Sequence, residues 1–298
     1  MSMLSSTDAD ARGVFERMLG ELRPKLHRYT ARMTGSAIDG EDVVQEAMLK
    51  AIEAFSVAGT IANVEGWMFR IIHNTALDHL RRRGRQSALH VEGDPDMVAD
   101  PASMMSEHEI AATSLRTFMQ LPPSHRSCVI LMDVLGHSLQ EIAEVTGLTV
   151  PAVKAALHKG RLHLRELARA PDSRALQALD DGERARLAAY VDRFNARDFD
   201  ALRDLLADDV RLDLFGKSRL QGRKDVSRYF ENYDRVADWR LAVGTVEGRP
   251  AILVFDIGQL DQGRPDYVVI LDWTNGRISH IRDFRYARYI LADAELGG

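Results

Sequence analysis

Apolar side chains recur at helical spacing through the first part of this chain. Val43, Val44, Ala47, Met48, Ala51, Ile52 and Phe55 fall on one stripe, the pattern of a helix with a single buried face. Asp39 stands ahead of the stripe as its expected N-cap, and Glu41 and Asp42 follow in the first turn, where carboxylates suit the helix dipole. The stretch Ser56 to Asn63 (SVAGTIAN) breaks the pattern and predicts a loop. A further helix from Val64 buries Trp67, Ile71, Ile72 and Leu80 and ends among arginines. Residues 11–85 therefore read as one helical domain.

From 86 to 109 the helical stripe disappears. Gly93, Pro95 and Pro101 sit among Glu92, Asp94, Asp96 and Asp100, the composition of an acidic linker. Residues 110–170 are helical again. Pro122 and Pro123 open a helix that Gly136 closes, Ser138 can cap the next one over Gln140 to Val145, and Thr149 with Pro151 begins another. Within Leu139 to Leu157, Ala143, Gly147 and Val153 fall at the offsets of a helix-turn-helix. The small residue lets two helices approach, the glycine permits the turn, and the branched residue locks the second helix.

The period changes in residues 173–292. Two helices, Ala185 to Asn195 and Phe199 to Leu206, precede a run in which Val210, Leu212 and Leu214 alternate with Arg211 and Asp213. Strand-like runs follow at Leu241 to Val246, Ala251 to Ile257, Tyr267 to Trp273 and Ile278 to Phe284. Glu247-Gly248-Arg249-Pro250 and Asn275-Gly276 supply hairpin turns. Helices followed by an antiparallel meander predict an α+β domain.

Length and charge sharpen this picture. At 298 residues the chain exceeds one domain of ~100–200 residues. The formal net charge is −5, which argues against a surface coated in positive charge. Basic residues are nevertheless concentrated: Arg81, Arg82, Arg83 and Arg85 follow one another without an acid, and Lys154, Lys159, Arg161, Arg165 and Arg169 face only Glu166 between 150 and 169. Such patches in an acidic chain point to localised phosphate contacts. The single cysteine, Cys128, excludes an internal disulfide and a cysteine metal cluster. Apolar runs fall far short of the ~20 residues of a membrane span, and the N-terminus lacks a secretory pattern. A cytoplasmic protein without membrane contact, metal or cofactor is expected.

On the second helix of the helix-turn-helix, Val153, Ala156 and Leu157 face inward. Thr149, Ala152, Lys154, Ala155, His158, Lys159 and Arg161 face outward or toward the flanking backbone, the first of them able to reach base edges and the later basic residues placed to grip phosphates. A plain helical hairpin with a solvated basic face is the bland alternative, and the turn chemistry weighs against it.

Three stretches carry a family resemblance. GEDVVQEAMLKAIEAF resembles the helix by which extracytoplasmic-function sigma factors dock on RNA polymerase core enzyme. VEGWMFRIIHNTALDHLRRRGR resembles their promoter-melting segment, and LPPSHRSCVILMDVLGHSLQEIAEVTGLTVPAVKAALHKGRLHL their upstream-element reader. The resemblance covers about residues 14–169, in the family's order. It implies polymerase contacts at Asp42, Gln45 and Glu46. Contacts near the −10 element fall at Asn74, Asp78, Arg81, Arg82, Arg83 and Arg85, and contacts with the −35 element at Thr149, Ala152, Lys154, Ala155, His158, Lys159 and Arg161. Gly59 and Asn63 lie in the loop that captures an unstacked base in that family.

RPAILVFD and ISHIRDFRYARYIL are similar to the SnoaL-like domain of the nuclear transport factor 2 superfamily, which implies a cone of curved sheet and helices round an apolar cavity. The fold expected is thus two all-α sigma domains, the second a helix-turn-helix, followed by an α+β cone-shaped SnoaL-like domain. Asp213, Asp256, Asp272 and Asp283, with Tyr286 and Tyr289 nearby, are the carboxylates a catalytic relative would use. The resemblance implies regulation instead: the domain packs on the sigma domains and modulates them, with a small apolar ligand as a candidate occupant. The partners implied are polymerase core enzyme and promoter DNA. Two alternatives stand: a ligand-responsive regulator that binds duplex DNA without polymerase, and a SnoaL-like isomerase or cyclase with a helical appendage.

Overall fold

The computed structural model describes residues 4–58, 61–86, 110, 113–168, 179–235, 238–256, 258 and 263–297. Of the expected linker, residues 86–109, Gln86 ends a helix and residues 87–109 lie outside them. The chain forms two compact units, Met1–Ser173 and Arg174–Gly298.

The first unit opens with α1 (Leu4–Thr34), α2 (Ala37–Ala58) and α3 (Val64–Gln86). Gly35, at φ 74°, ends α1 by donating its N–H to the Ala31 carbonyl, a left-handed C-terminal cap that glycine adopts at little cost. The cap of α2 differs from the sequence expectation. Ser36 Oγ accepts from the Asp39 N–H at 3.0 Å, so Ser36 caps the helix and Asp39 lies inside its first turn. Glu41 is fully buried and paired with Arg23; its carboxylate meets a guanidinium instead of the exposed helix terminus. The helix also continues into the predicted loop, as far as Ala58.

Then come α4 (Leu115–Phe118), α5 (Pro123–Val129), a π turn (Ile130–Val134), α6 (Leu139–Thr146) and α7 (Val150–Ala168). The two helical groups share one core. Tyr29, Met68 and Phe69 belong to the same buried cluster as Phe118, Leu131, Ile142 and Val153. Arg126, 3% exposed, ties them further by donating to the carbonyls of Met33, Leu121 and Met119. The Phe69 ring meets the His137 imidazole edge-on at 4.7 Å.

The second unit begins with α8 (Asp181–Asn195) and α9 (Phe199–Asp204). Strands β1 (Leu206–Leu214) and β2 (Ser218–Gln221) follow, then α10 (Arg223–Asp234), β3 (Trp239–Val246), β4 (Arg249–Asp256), β5 (Tyr267–Thr274), β6 (Arg277–Asp283) and β7 (Leu296–Gly297). Among the described residues the sheet order is β2-β1-β6-β5-β4-β3-β7. The strands β3 to β6 form the expected meander, but β1 joins it parallel to β6, Leu212 beside Ile281. The sheet is therefore mixed. Both predicted hairpin turns carry the left-handed pairs that a two-residue connection demands: Glu247 and Gly248 at φ 52° and 75°, Asn275 and Gly276 at the same values. The sequence pattern did not reveal α10 or the short strands β2 and β7. Leu187, Tyr190, Phe230, Leu241, Val254 and Ile281 fill the space between helices and sheet. Among the described residues no helix is long and apolar enough to cross a membrane.

Candidate nucleic-acid interface

The helix-turn-helix is built as its sequence requires. Ser138 and Glu141 form a reciprocal capping box: the Ser138 N–H donates to Glu141 Oε2 at 2.7 Å, and Ser138 Oγ accepts from the Glu141 N–H. Gly147, at φ 73°, closes α6 with its N–H on the Ala143 carbonyl. Thr149 then caps α7, its Oγ1 accepting from the Ala152 N–H. Val153, Ala156 and Leu157 are buried. Thr149, Lys154, Ala155 and His158 are exposed, while Ala152 and Lys159 are half-buried. These residues share the outer side of a helix whose N-terminal turns are the part that enters a major groove. Arg161 is turned elsewhere: its guanidinium lies on the buried carboxylate of Asp133.

On α3, Arg70, Asn74, Asp78 and Arg81 are all exposed, spaced so that they line one face. Arg70 was missed in the sequence reading, although it lies one helical turn before Asn74. Three of the four arginines that the sequence singled out are engaged. Arg81 pairs with Asp78 at 3.0 Å, Arg82 with Glu46 at 2.7 Å, and Arg83 with Asp39 at 2.9 Å. The side chain of Arg85 lies outside the described residues, as does Gly59. Asn63 caps α3, its Oδ1 accepting from the Gly66 N–H at 2.9 Å.

The residues expected to meet polymerase divide in two. Glu46 faces α3. Partial burial alone would raise its pKa, but hydrogen bonds from Lys50 and Arg82 outweigh that and hold it below the usual carboxylate range. Asp42 and Gln45 are half-buried, and Leu49, on the same side of α2, is 46% exposed. A leucine so open on a helix that otherwise buries Val43, Val44, Ala47 and Met48 belongs with the outward face, which sequence periodicity alone did not reveal.

In the second unit, Asp283 is fully buried. It accepts from the Tyr229 hydroxyl at 2.7 Å, the Tyr233 hydroxyl at 3.2 Å and the Arg285 N–H at 2.8 Å. Burial pushes its pKa up against these hydrogen bonds. Beside it, Tyr190, Tyr229, Tyr233 and Tyr267 line a cavity of about 10 Å³. Asp213 and Asp272 point the other way, since Leu212, Leu271 and Ile281 next to them fill the core and strand neighbours alternate sides. They flank His280, at 2.8 and 3.5 Å. Asp256 accepts from the Gly258 N–H. The four aspartates do not converge on one site. Among the described residues no group of three or more His, Cys, Asp or Glu is arranged to hold a metal ion.

Residues 18–86 match Sigma-70 region 2, residues 115–164 match Sigma-70 region 4, and residues 187–281 match the SnoaL-like domain. The RNA polymerase sigma-H factor of Pseudomonas aeruginosa is 30% identical over 158 residues, spanning 49% of this chain and 82% of that protein. This chain belongs to the extracytoplasmic-function sigma factors. The likeness to the sigma factor SigG of Mycobacterium tuberculosis extends further, at 28% identity over 92% of this chain and 82% of that one. With SigE of Mycolicibacterium smegmatis it is 29% over 165 residues, 53% of this chain and 63% of that one. Sigma factors of this family bind RNA polymerase core enzyme and promoter DNA, and the sigma factor here carries the helical elements of both regions followed by the SnoaL-like unit.

Proposed function

We propose that this sigma factor directs core polymerase to promoters through three faces. The outer side of α7, from Thr149 to Lys159, meets the −35 element. The exposed side of α3, with Arg70, Asn74 and Arg81, meets the strand near −10. The side of α2 bearing Asp42, Gln45 and Leu49 meets polymerase. The observation that carries this reading is the capped helix-turn-helix, whose second helix leaves Thr149, Lys154, Ala155 and His158 uncovered. The paired arginines on α3 then become phosphate ligands by exchanging carboxylates for DNA, an exchange that exposed ion pairs permit because each contributes only ~0–1 kcal/mol.

The SnoaL-like unit serves regulation, by altering the access of the helical unit to polymerase or DNA. The tyrosines that crowd its interior cavity support this over catalysis. A cavity of about 10 Å³ is room for a single water molecule, and a small apolar ligand would enter only by displacing tyrosine rings. Run-off transcription with bacterial core polymerase tests both statements, comparing the full chain with a version ending at Ser173. Promoter-dependent transcript from either supports the sigma reading, and a difference between them gives the direction of regulation. Absence of transcript and of core retention from both would overturn it.

A further inference from the structure

Asp133 interrupts the apolar run Cys128-Val129-Ile130-Leu131-Met132-Asp133-Val134-Leu135. It lies in the π turn that follows α5, and its side chain is 0% exposed. A carboxylate without access to water requires a cationic partner, and Arg161 supplies it from α7. Arg161 Nε donates to Asp133 Oδ2 at 2.9 Å, and Nη2 donates to Oδ1, so one edge of the guanidinium fork is fully committed. One residue earlier, Gly160 brings α7 against α5. A Cβ there would stand 2.7 Å from Val129 Cγ2 and 3.4 Å from His125 Cβ. A close approach and a two-pronged charged contact thus occur at the same level of the helix.

Arg161 also lies twelve residues beyond Thr149, about 18 Å along the axis at 1.5 Å per residue. The N-terminal turns of a recognition helix are the ones that enter the groove. Drawing Arg161 away to a phosphate would leave Asp133 buried without a counter-charge, a costly exchange.

We infer that Arg161 is a positioning residue: with Asp133 and Gly160 it fixes the rotation and tilt of α7 on α5, and so the presentation of Thr149, Lys154, Ala155 and His158. This rests on the reading that α7 meets the −35 element. Arginine is needed for its planar fork, because the lysine ammonium is a point charge that cannot hold both carboxylate oxygens in one geometry.

The test uses holoenzyme assembled from the full chain and bacterial core polymerase. The probe is the pool of duplex fragments that wild-type holoenzyme retains from a random-sequence library. Affinity is measured against salt concentration for Arg161→Lys, Asp133→Asn and Lys154→Ala. Each phosphate contact adds about 0.9 to the slope of log affinity against log salt. The expected result is that Arg161→Lys and Asp133→Asn each weaken binding at least ten-fold with the slope unchanged, although Asp133 cannot touch DNA. Lys154→Ala lowers both affinity and slope.

If Arg161 instead grips a phosphate, the signs reverse. Asp133→Asn frees the guanidinium and leaves binding equal or tighter, and Arg161→Lys stays within about three-fold of wild type. That pattern overturns the inference. Should Asp133→Asn lose helix content by circular dichroism, Arg161→Lys, which keeps a cation beside Asp133, decides alone. If Lys154→Ala changes neither affinity nor slope, it is the assignment of α7 to DNA that fails.

Discussion

Arg126 joins the two helical groups of the first unit, and replacing it by methionine should loosen both. Its guanidinium donates to the carbonyls of Leu121 at 2.7 Å and Met119 at 3.0 Å, and to that of Met33. Met33 lies in the last turn of α1, where carbonyls lack helical partners, so the contact satisfies a group that would otherwise be buried alone. Hydrogen bonds from a charged donor contribute about 1.5–3 kcal/mol each. Against them stands the cost of burying the cation. Burial pulls the Arg126 pKa from its ordinary value down to about 10, equivalent to ~3 kcal/mol. Methionine removes both terms and fills similar volume, leaving a net loss of about 3 kcal/mol. Native-state hydrogen exchange on the full chain measures this locally. Amides of Val129, Ile130 and Leu131, all fully buried, should exchange roughly 150-fold faster, the equivalent of that loss at 25 °C, while those around Leu187 and Tyr190 stay unchanged. An acceleration below about five-fold would show that the three carbonyl contacts scarcely exceed the cost of the charge, and the reasoning would fail.

Other perturbations follow from the same geometry. Gly40→Ala should destabilise the first unit by about 1–3 kcal/mol in denaturant titration, because the new Cβ would lie 2.6 Å from the Ala31 backbone nitrogen and neither helix can yield locally. Ser138→Ala should cost about 1 kcal/mol, through loss of the capping box, and should lower the melting temperature of the helix-turn-helix without changing the salt slope of DNA binding. Hydrogen bonds to Asp213 and Asp272 raise the His280 pKa to about 9, above its unfolded value of about 6.5. The stabilisation is complete below the unfolded value and disappears as pH rises through 9. Asp213 is held below its usual range by His280 and Arg219, which outweigh its burial, so its own contribution is lost in acid. Asp213→Asn should therefore lower the melting temperature of the second unit more near pH 6 than near pH 10, where the pairing with Arg219 at 2.7 Å persists but His280 has lost its charge; an equal effect at both would refute the pairing with His280.

Much of this architecture was legible wherever a local rule decides the outcome. The hairpin turns at Gly248 and Gly276, the capping Ser138 and the helix-ending Gly147 each follow from backbone chemistry within a few residues. Long-range pairing was not legible in that way. Asp39 looked like a cap because Ser36, three residues earlier, precedes the apolar stripe by a full turn, and the demand of Arg83 for a carboxylate comes from another helix. Arg161 reads as a phosphate ligand because its neighbours are basic, and its pairing with Asp133 was not legible beside them. The signal for that pairing was Asp133, a lone acid in an apolar run. The parallel placement of β1 beside β6 was hidden too, as was α10, which packs near β1 and whose sequence RKDVSRYFENYD is polar enough to conceal its buried face of Val226, Tyr229, Phe230 and Tyr233. The shared core of the helical unit arises from residues such as Phe69 and Phe118, which any helix would bury somewhere.

The tyrosine cluster has a consequence for the response to alkali. Burial raises the pKa of Tyr190, Tyr229, Tyr233 and Tyr267 in the second unit, and of Tyr29 in the first. An unfolded chain releases each of these phenolic protons near pH 10, whereas the folded chain retains them, so stability falls as pH rises beyond that point. Four such groups draw on the sheet unit and one on the helical unit. Base therefore weighs more heavily on the SnoaL-like unit than on the helical one, and the absorbance of newly formed tyrosinate reports its unfolding.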